Sequence, residues 1–169
     1  FAVMETDRLE IARLYHRFGF GPRPGEFKAA LAAGLSATKT ALLSVPVVDL
    51  AAAQIADPNI TNLGPRPAQK TNELIEFSIA LRQQTRDLPV WWLDRMVLSD
   101  HSLTERMTWF WHGHWATSIS KINFAYPMYL QNQTLRKYAL GNFKEMSLAM
   151  LNDGALQDWL DGGANTVKA

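Results

Sequence analysis

The chain contains no cysteine. Disulfides, thiolate nucleophiles and every cysteine-based zinc or iron–sulfur site are excluded together, and a metal would have to rely on His, Asp, Glu or Asn. No sign of charge dominates either: 17 basic residues face 16 acidic ones, a formal charge of +1. Holding nucleic acid by counterion release needs many clustered phosphate contacts, so no nucleic-acid partner is expected. No apolar run approaches the roughly 18 residues of a membrane span, and Phe1-Ala2-Val3-Met4 is too short for a signal-peptide core. A first residue other than Met suggests that a leader or further residues preceded it. Clean apolar alternation between turn signals is missing as well, which argues against sheet. Histidine is scarce: His16, His101, His112 and His114 are the whole set.

What is present is enough apolar material for a core. The 169 residues are 47% hydrophobic and 20% charged, and a chain of this length can bury about 70% of its unfolded surface. These figures predict a single helical domain over residues 1–169. Its class is all-α, an irregular multi-helix bundle of eight to nine helices packed orthogonally rather than simply up and down.

Punctuation by Gly, Pro and capping residues sets the helices. The first is predicted from Thr6 to His16, with Leu9, Ile11, Ala12 and Leu14 facing a core, and it stops at Gly19-Phe20-Gly21-Pro22. A second runs to Gly34 with Phe27, Ala30 and Leu31 inward, a third from Ser36 to Leu43, and a weak fourth from Asp49 to Ala56. Asp57 to Pro67 reads as the longest loop and the candidate linker. Beyond it a helix is expected from Ala68 to Arg86 on the stripe Leu74, Phe77, Ser78 and Leu81, then a separate one from Val90 to Leu98 opened by Pro89. Ser102-Leu103-Thr104-Glu105 has the spacing of a capping box, which places a helix from Leu103 to about Trp115. Pro127 opens the next, to Gly141. Asn142 with Glu145 repeats the box before a helix to Leu151, and Ala155 to Leu160 forms the last turns.

The unusual feature is aromatic. Five of the six tryptophans, Trp91, Trp92, Trp109, Trp111 and Trp115, fall within 25 residues. On the capped helix Leu103, Met107, Phe110, Trp111 and His114 share one apolar face, which turns His114 inward, while Glu105, Trp109 and His112 form the adjoining stripe. In a regular helix His112 and His114 stand about 200° apart. Gly113 between them weakens the helix by about 1 kcal/mol, and an opened turn there would bring both imidazoles to one side, as in a His-x-His metal site. The alternatives are two hydrogen-bonded core histidines, or an acid/base pair. Trp91 and Trp92 face two directions, so one is expected in the core and one on a groove, where Arg95 or Arg106 could meet an anion or simply pair with Asp94, Asp100 or Glu105. Asn132, Gln133 and Arg136 read as a solvated polar face.

Gly19-Phe20-Gly21-Pro22, Trp92-Leu93-Asp94-Arg95-Met96, Glu105-Arg106-Met107-Thr108-Trp109-Phe110-Trp111-His112-Gly113-His114, Asn132-Gln133-Thr134-Leu135-Arg136, Ala139-Leu140-Gly141-Asn142-Phe143 and Trp159-Leu160-Asp161-Gly162 with Asn165 occur in this order. The set resembles the bacterial family called domain of unknown function 1800 and spans nearly the whole chain. The resemblance implies a mostly helical bacterial protein with no established reaction; the compartment, cytoplasmic or exported after leader removal, stays open. It also implies a longer protein of which this chain is an N-terminal portion, continuing into an Asn-Glu-Asn-rich acidic helix whose carboxylates would be natural partners of His112 and His114.

Two functions follow as expectations. One is a site around Trp-His-Gly-His-Trp, with His112 and His114 as ligands of a divalent metal or, with Glu105 and Arg106, as catalytic groups. Trp91, Trp92, Trp109 and Trp115 are its candidate pocket walls. The other is a structural or protein-interaction module whose aromatic face is covered by the downstream segment or by a protein partner.

Overall fold

The computed structural model describes residues 2–46, 48–68 and 71–162. Among them stand ten helices and no strand, the all-α class expected. They are α1 (Ala2–Phe18), α2 (Glu26–Ala33), α3 (Leu35–Leu43), α4 (Leu50–Ala53), α5 (Asn72–Leu98), α6 (Ser102–Trp115), α7 (Ile119–Ile122), α8 (Ala125–Tyr138), α9 (Phe143–Leu151) and α10 (Gly154–Trp159). Gln69 and Lys70, in the predicted first turn of the helix from Ala68, lie outside the described residues, as does Asn165. The chain divides into two compact units, Phe1–Ile55 with Asp94–Met107 and Ala56–Leu93 with Thr108–Ala169. The boundary at Ile55 falls next to the loop read as a linker.

In the first unit α1, α2 and α3 pack on one another around Ile11, Ala30 and Thr38. Leu9, expected inward on α1, is exposed. Thr38 is tolerated in this core because its hydroxyl donates to Gly34 O at 2.9 Å, which satisfies a buried polar group. Gly19 is required by a close approach: a Cβ there would lie 2.6 Å from Ser102 Oγ and 2.9 Å from Ser102 Cβ. Asp49 caps α4 by accepting from Ala52 N at 2.8 Å, and it also accepts from Asp100 N at 3.0 Å and from the Ser99 hydroxyl. Burial opposes its charge, but the Ser99 hydroxyl and the amides of Ala52, Asp100 and His101 outweigh it and hold the carboxyl below its ordinary range. Asp49, Ser99 and His101 are residue types of a nucleophilic triad, yet the connectivity is wrong for one. The serine bonds the aspartate directly, and the His101 ring meets Thr104 Oγ1 at 2.6 Å. The cluster is a cap.

Both side chains of the predicted capping box, Ser102 and Glu105, meet tertiary partners. Helix α6 begins one residue earlier than expected, Ser102 Oγ turns to Phe18 O at 3.4 Å, and Glu105 is buried beside Arg95, with Oε1 and Nε 3.1 Å apart. A guanidinium satisfies a carboxylate better than a backbone amide does.

The second unit is built on α5 and α8. Leu74, Phe77, Ser78, Leu81, Gln84, Leu88 and Trp91 form one inward stripe, whereas Ile75 and Ile79 are exposed. α5 was expected as two helices, but it runs through Pro89 without a break. Pro89 removes one backbone bond, to the Thr85 carbonyl, at a cost of about 3 kcal/mol. The stripe continues across it with buried Leu88 and Trp91, and each such side chain contributes about 1.5–3 kcal/mol. Gln84 anchors the loop: with its amide oxygen turned to Thr61 it accepts from Thr61 N at 3.3 Å and donates to Thr61 O at 3.1 Å.

On α8, Ala125, Met128, Asn132, Leu135 and then Ala139 follow the three-and-four spacing and are buried. α8, α9 and α10 enclose Leu135, Met146, Met150 and Leu156, with Trp111, Trp115 and Tyr138 packed against them. Asn142 caps α9 by accepting from Lys144 N at 2.9 Å and Glu145 N at 3.3 Å, as its spacing predicted.

Candidate functional site

Helix α6 is unbroken through Gly113 to Trp115 and is followed by Ala116, a non-glycine residue at φ 54°. The opened turn that would have joined His112 and His114 is absent, because regular backbone bonds continue to Ala116 N, which donates to His112 O at 2.9 Å. The two imidazoles therefore leave the helix about 200° apart. His112 stands edge-to-face with Trp92, centroids 5.2 Å apart at 82°. His114 is exposed, edge-on to Trp111 at 5.6 Å and Trp115 at 5.5 Å. Two rings so placed cannot share an ion, and among the described residues no group of three or more His, Asp and Glu could hold one.

The buried stripe of α6 is also rotated from the expected one. Leu103, Glu105 and Thr108 are inside, while Phe110 is 54% exposed and His114 faces outward. Leu103 is inward and Trp111 packs on the core as expected, but Phe110 and His114 are outside, and the buried polar residues Glu105 and Thr108 extend the stripe to the other side.

The remaining candidates separate. Glu105 is engaged by Arg95, and the Arg106 guanidinium lies over the Phe20 ring at 5.5 Å. Trp91 is in the core against Tyr129 at 5.2 Å, with Arg136 over its ring at 5.3 Å. Trp115 packs on the Leu135 core with its Nε1 buried and unpartnered, and Trp109 is exposed.

Trp92 and His112 line a pocket of about 220 Å³ within the second unit, together with Leu88, Pro89, Thr117, Ser118, Ile119, Met128 and Asn132. Each wall has a local cause. Leu88 and Trp92 are one turn apart on α5, and Met128 and Asn132 one turn apart on α8. The left-handed residue Ala116 stops α6 and sends the chain into Thr117 and Ser118, where Ser118 caps α7 by accepting from Ser120 N at 3.3 Å. That conformation costs about 1–2 kcal/mol at a residue with a Cβ, so it is stored strain directly beside the pocket.

The pocket is mostly apolar with a few polar groups, and among the described residues no Asp, Glu, Lys or Arg lines it. Burial pushes the His112 pKa below its ordinary value, so the ring is neutral at pH 7 and offers one donor and one acceptor nitrogen. Trp92 Nε1 and Asn132 Oδ1 are buried and have no hydrogen-bond partner among the described residues. Behind the wall Thr117 Oγ1 donates to Gln131 Oε1, and Gln131 Nε2 donates at 2.6 Å to Asp153 Oδ1, which also accepts from Leu156 N at 2.8 Å. Desolvation raises the Asp153 pKa against the lowering effect of these bonds.

Asn132 was read as solvated and is buried. Its position on the Ala125, Met128, Leu135 stripe was the available signal. Thr117, Gln131 and Asp153 carried none, because they are brought together only by the packing of α8 and α10.

The sequence profile of a protein family of unknown function, DUF1800, matches residues 13–169, and the chain belongs to that family. No curated protein and no solved structure matches it.

Proposed function

We propose that this DUF1800 chain binds a small, uncharged, largely apolar molecule in the pocket of its second unit, with His112 as the group able to accept or donate a proton. One observation carries the reading: Trp92 Nε1 and Asn132 Oδ1, two buried polar atoms without partners, belong to side chains that line the same pocket as His112. Buried polar groups in native proteins are nearly always satisfied, so a ligand supplying their hydrogen bonds would be favoured. A divalent metal does not suit this donor set, which offers one imidazole and no carboxylate. Neutral His112 suits acid/base work on the bound molecule instead. The test is an NMR screen of small aromatic fragments against the wild type and His112→Phe. Fragments should shift the resonances of Trp92, His112 and Asn132 and bind the variant at least tenfold more weakly; hits that map elsewhere, or bind both equally, would sink the proposal.

A second reading, protein interaction, is favoured by a different face. Phe110 and Phe143 are each more than half exposed, and Phe143 stacks on Trp111 at 5.4 Å beside His114. We propose that a partner surface covers them. Phe110→Ser with Phe143→Ser should raise solubility and abolish partner capture, while leaving fragment binding in the pocket intact.

A further inference from the structure

Building on the pocket reading above, we infer that the ligand carries an uncharged carboxamide, or the same N–H and C=O pair within a ring, on an apolar body. The polarity of the hydrogen-bonding groups argues for it. Asp153 Oδ1 accepts from both Leu156 N and Gln131 Nε2, so the Gln131 amide is oriented with its NH₂ toward Asp153 and its oxygen toward Thr117. Thr117 must then donate to Gln131, and its Oγ1 has only lone pairs left for the pocket. Asn132 Oδ1 adds a second acceptor. Trp92 Nε1, buried and unpartnered, can only donate.

Beside His112, whose neutral ring can take either role, two acceptors and one donor call for a ligand with N–H donors and one carbonyl acceptor, which is the pattern of a carboxamide. A carboxylate or an ammonium group would be desolvated with no counter-charge in the lining. Size agrees: a cavity of about 150 Å³ holds benzene, so the 220 Å³ here accommodates a substituted ring. The apolar body would lie among Leu88, Pro89, Ile119 and Met128, with His112 edge-on to Trp92 closing the wall.

The experiment titrates the intact protein calorimetrically with benzamide, benzoate, benzylammonium and ethylbenzene. In parallel, the Trp92 indole N–H resonance is followed, assigned through Trp92→Phe. Benzamide should bind at least tenfold more tightly than the other three and alone move the indole proton downfield. Asn132→Leu should weaken benzamide about tenfold relative to ethylbenzene. The indole shift in the wild type gives the same answer without any substitution. Ethylbenzene binding as tightly as benzamide, or a preference for either charged probe, would overturn the carboxamide inference and leave the pocket reading standing. Failure of all four probes to bind would overturn both.

Discussion

Replacing Gln131 by Leu tests the buried relay behind the pocket. Gln131 is fully buried, donating to Asp153 and accepting from Thr117. Leucine fills a similar volume but leaves both neighbours without this partner. The Thr117 hydroxyl loses a neutral bond of about 1 kcal/mol and Asp153 a charge-assisted one of about 1.5–3 kcal/mol. Extra apolar burial returns about 1 kcal/mol, so the net loss is about 1.5–3 kcal/mol, and melting should fall by roughly 3–12 °C for a chain of this size. The loss should also depend on pH. The folded pKa of Asp153 is raised by desolvation, so the folded state holds that proton more tightly than the unfolded state. Its contribution to stability is fully present below the unfolded carboxylate pKa and is lost as pH rises through the folded one. Removing Gln131 takes away a bond that favours the ionised form and widens that window, so the defect should shrink as pH falls toward 4. Asp153→Asn keeps an acceptor oxygen for Leu156 N and Gln131 without the charge, and should be tolerated at pH 7. The assay is thermal and urea unfolding of the three proteins between pH 4 and 8. A Gln131→Leu melting temperature within about 2 °C of wild type at pH 7 would refute the relay.

Other outcomes follow from the same geometry. Asp49 has a lowered folded pKa, so its contribution is present above the unfolded carboxylate pKa and lost as pH falls through the folded one. Asp49→Ala should cost about 2 kcal/mol at pH 7, the upper end for a helix cap, and acid unfolding of the variant should be correspondingly flatter. Gly113 has no atom within 4 Å of a Cβ position, so Gly113→Ala should stabilise by about 1 kcal/mol with unchanged fragment binding; destabilisation would mean that α6 is not regular there. Ala116→Gly relieves the left-handed residue and should stabilise by about 1 kcal/mol, checked by urea unfolding, where a loss would contradict the strain assigned to it.

The sequence was most legible where a side chain answers to its own backbone. Asn142 reads as a cap from its spacing to Glu145, and the Leu74, Phe77, Leu81 stripe identifies the inward side of α5. It was least legible where tertiary partners decide. Ser102 and Glu105 have the spacing of a box, and nothing in that spacing marks their tertiary partners Phe18 O and Arg95. Pro89 marks a start by propensity, and packing on both sides carries the helix through it. On α6 the aromatic face looked like core, but Glu105 and Thr108 are buried and Phe110 is outside. Among the site candidates, Trp92 and His112 line one pocket, whereas His114, Glu105, Arg106, Trp91, Trp109 and Trp115 do not line it. Thr117 enters it through the strained turn at Ala116, which no propensity rule marks.

The most direct measurement is an NMR titration of the His112 ring with and without benzamide. A pKa below the ordinary histidine value is expected in the free protein, because burial disfavours the cation, with a further fall when ligand excludes water. A His112 ring that titrates at or above the ordinary value, and does not respond to ligand, would contradict that expectation.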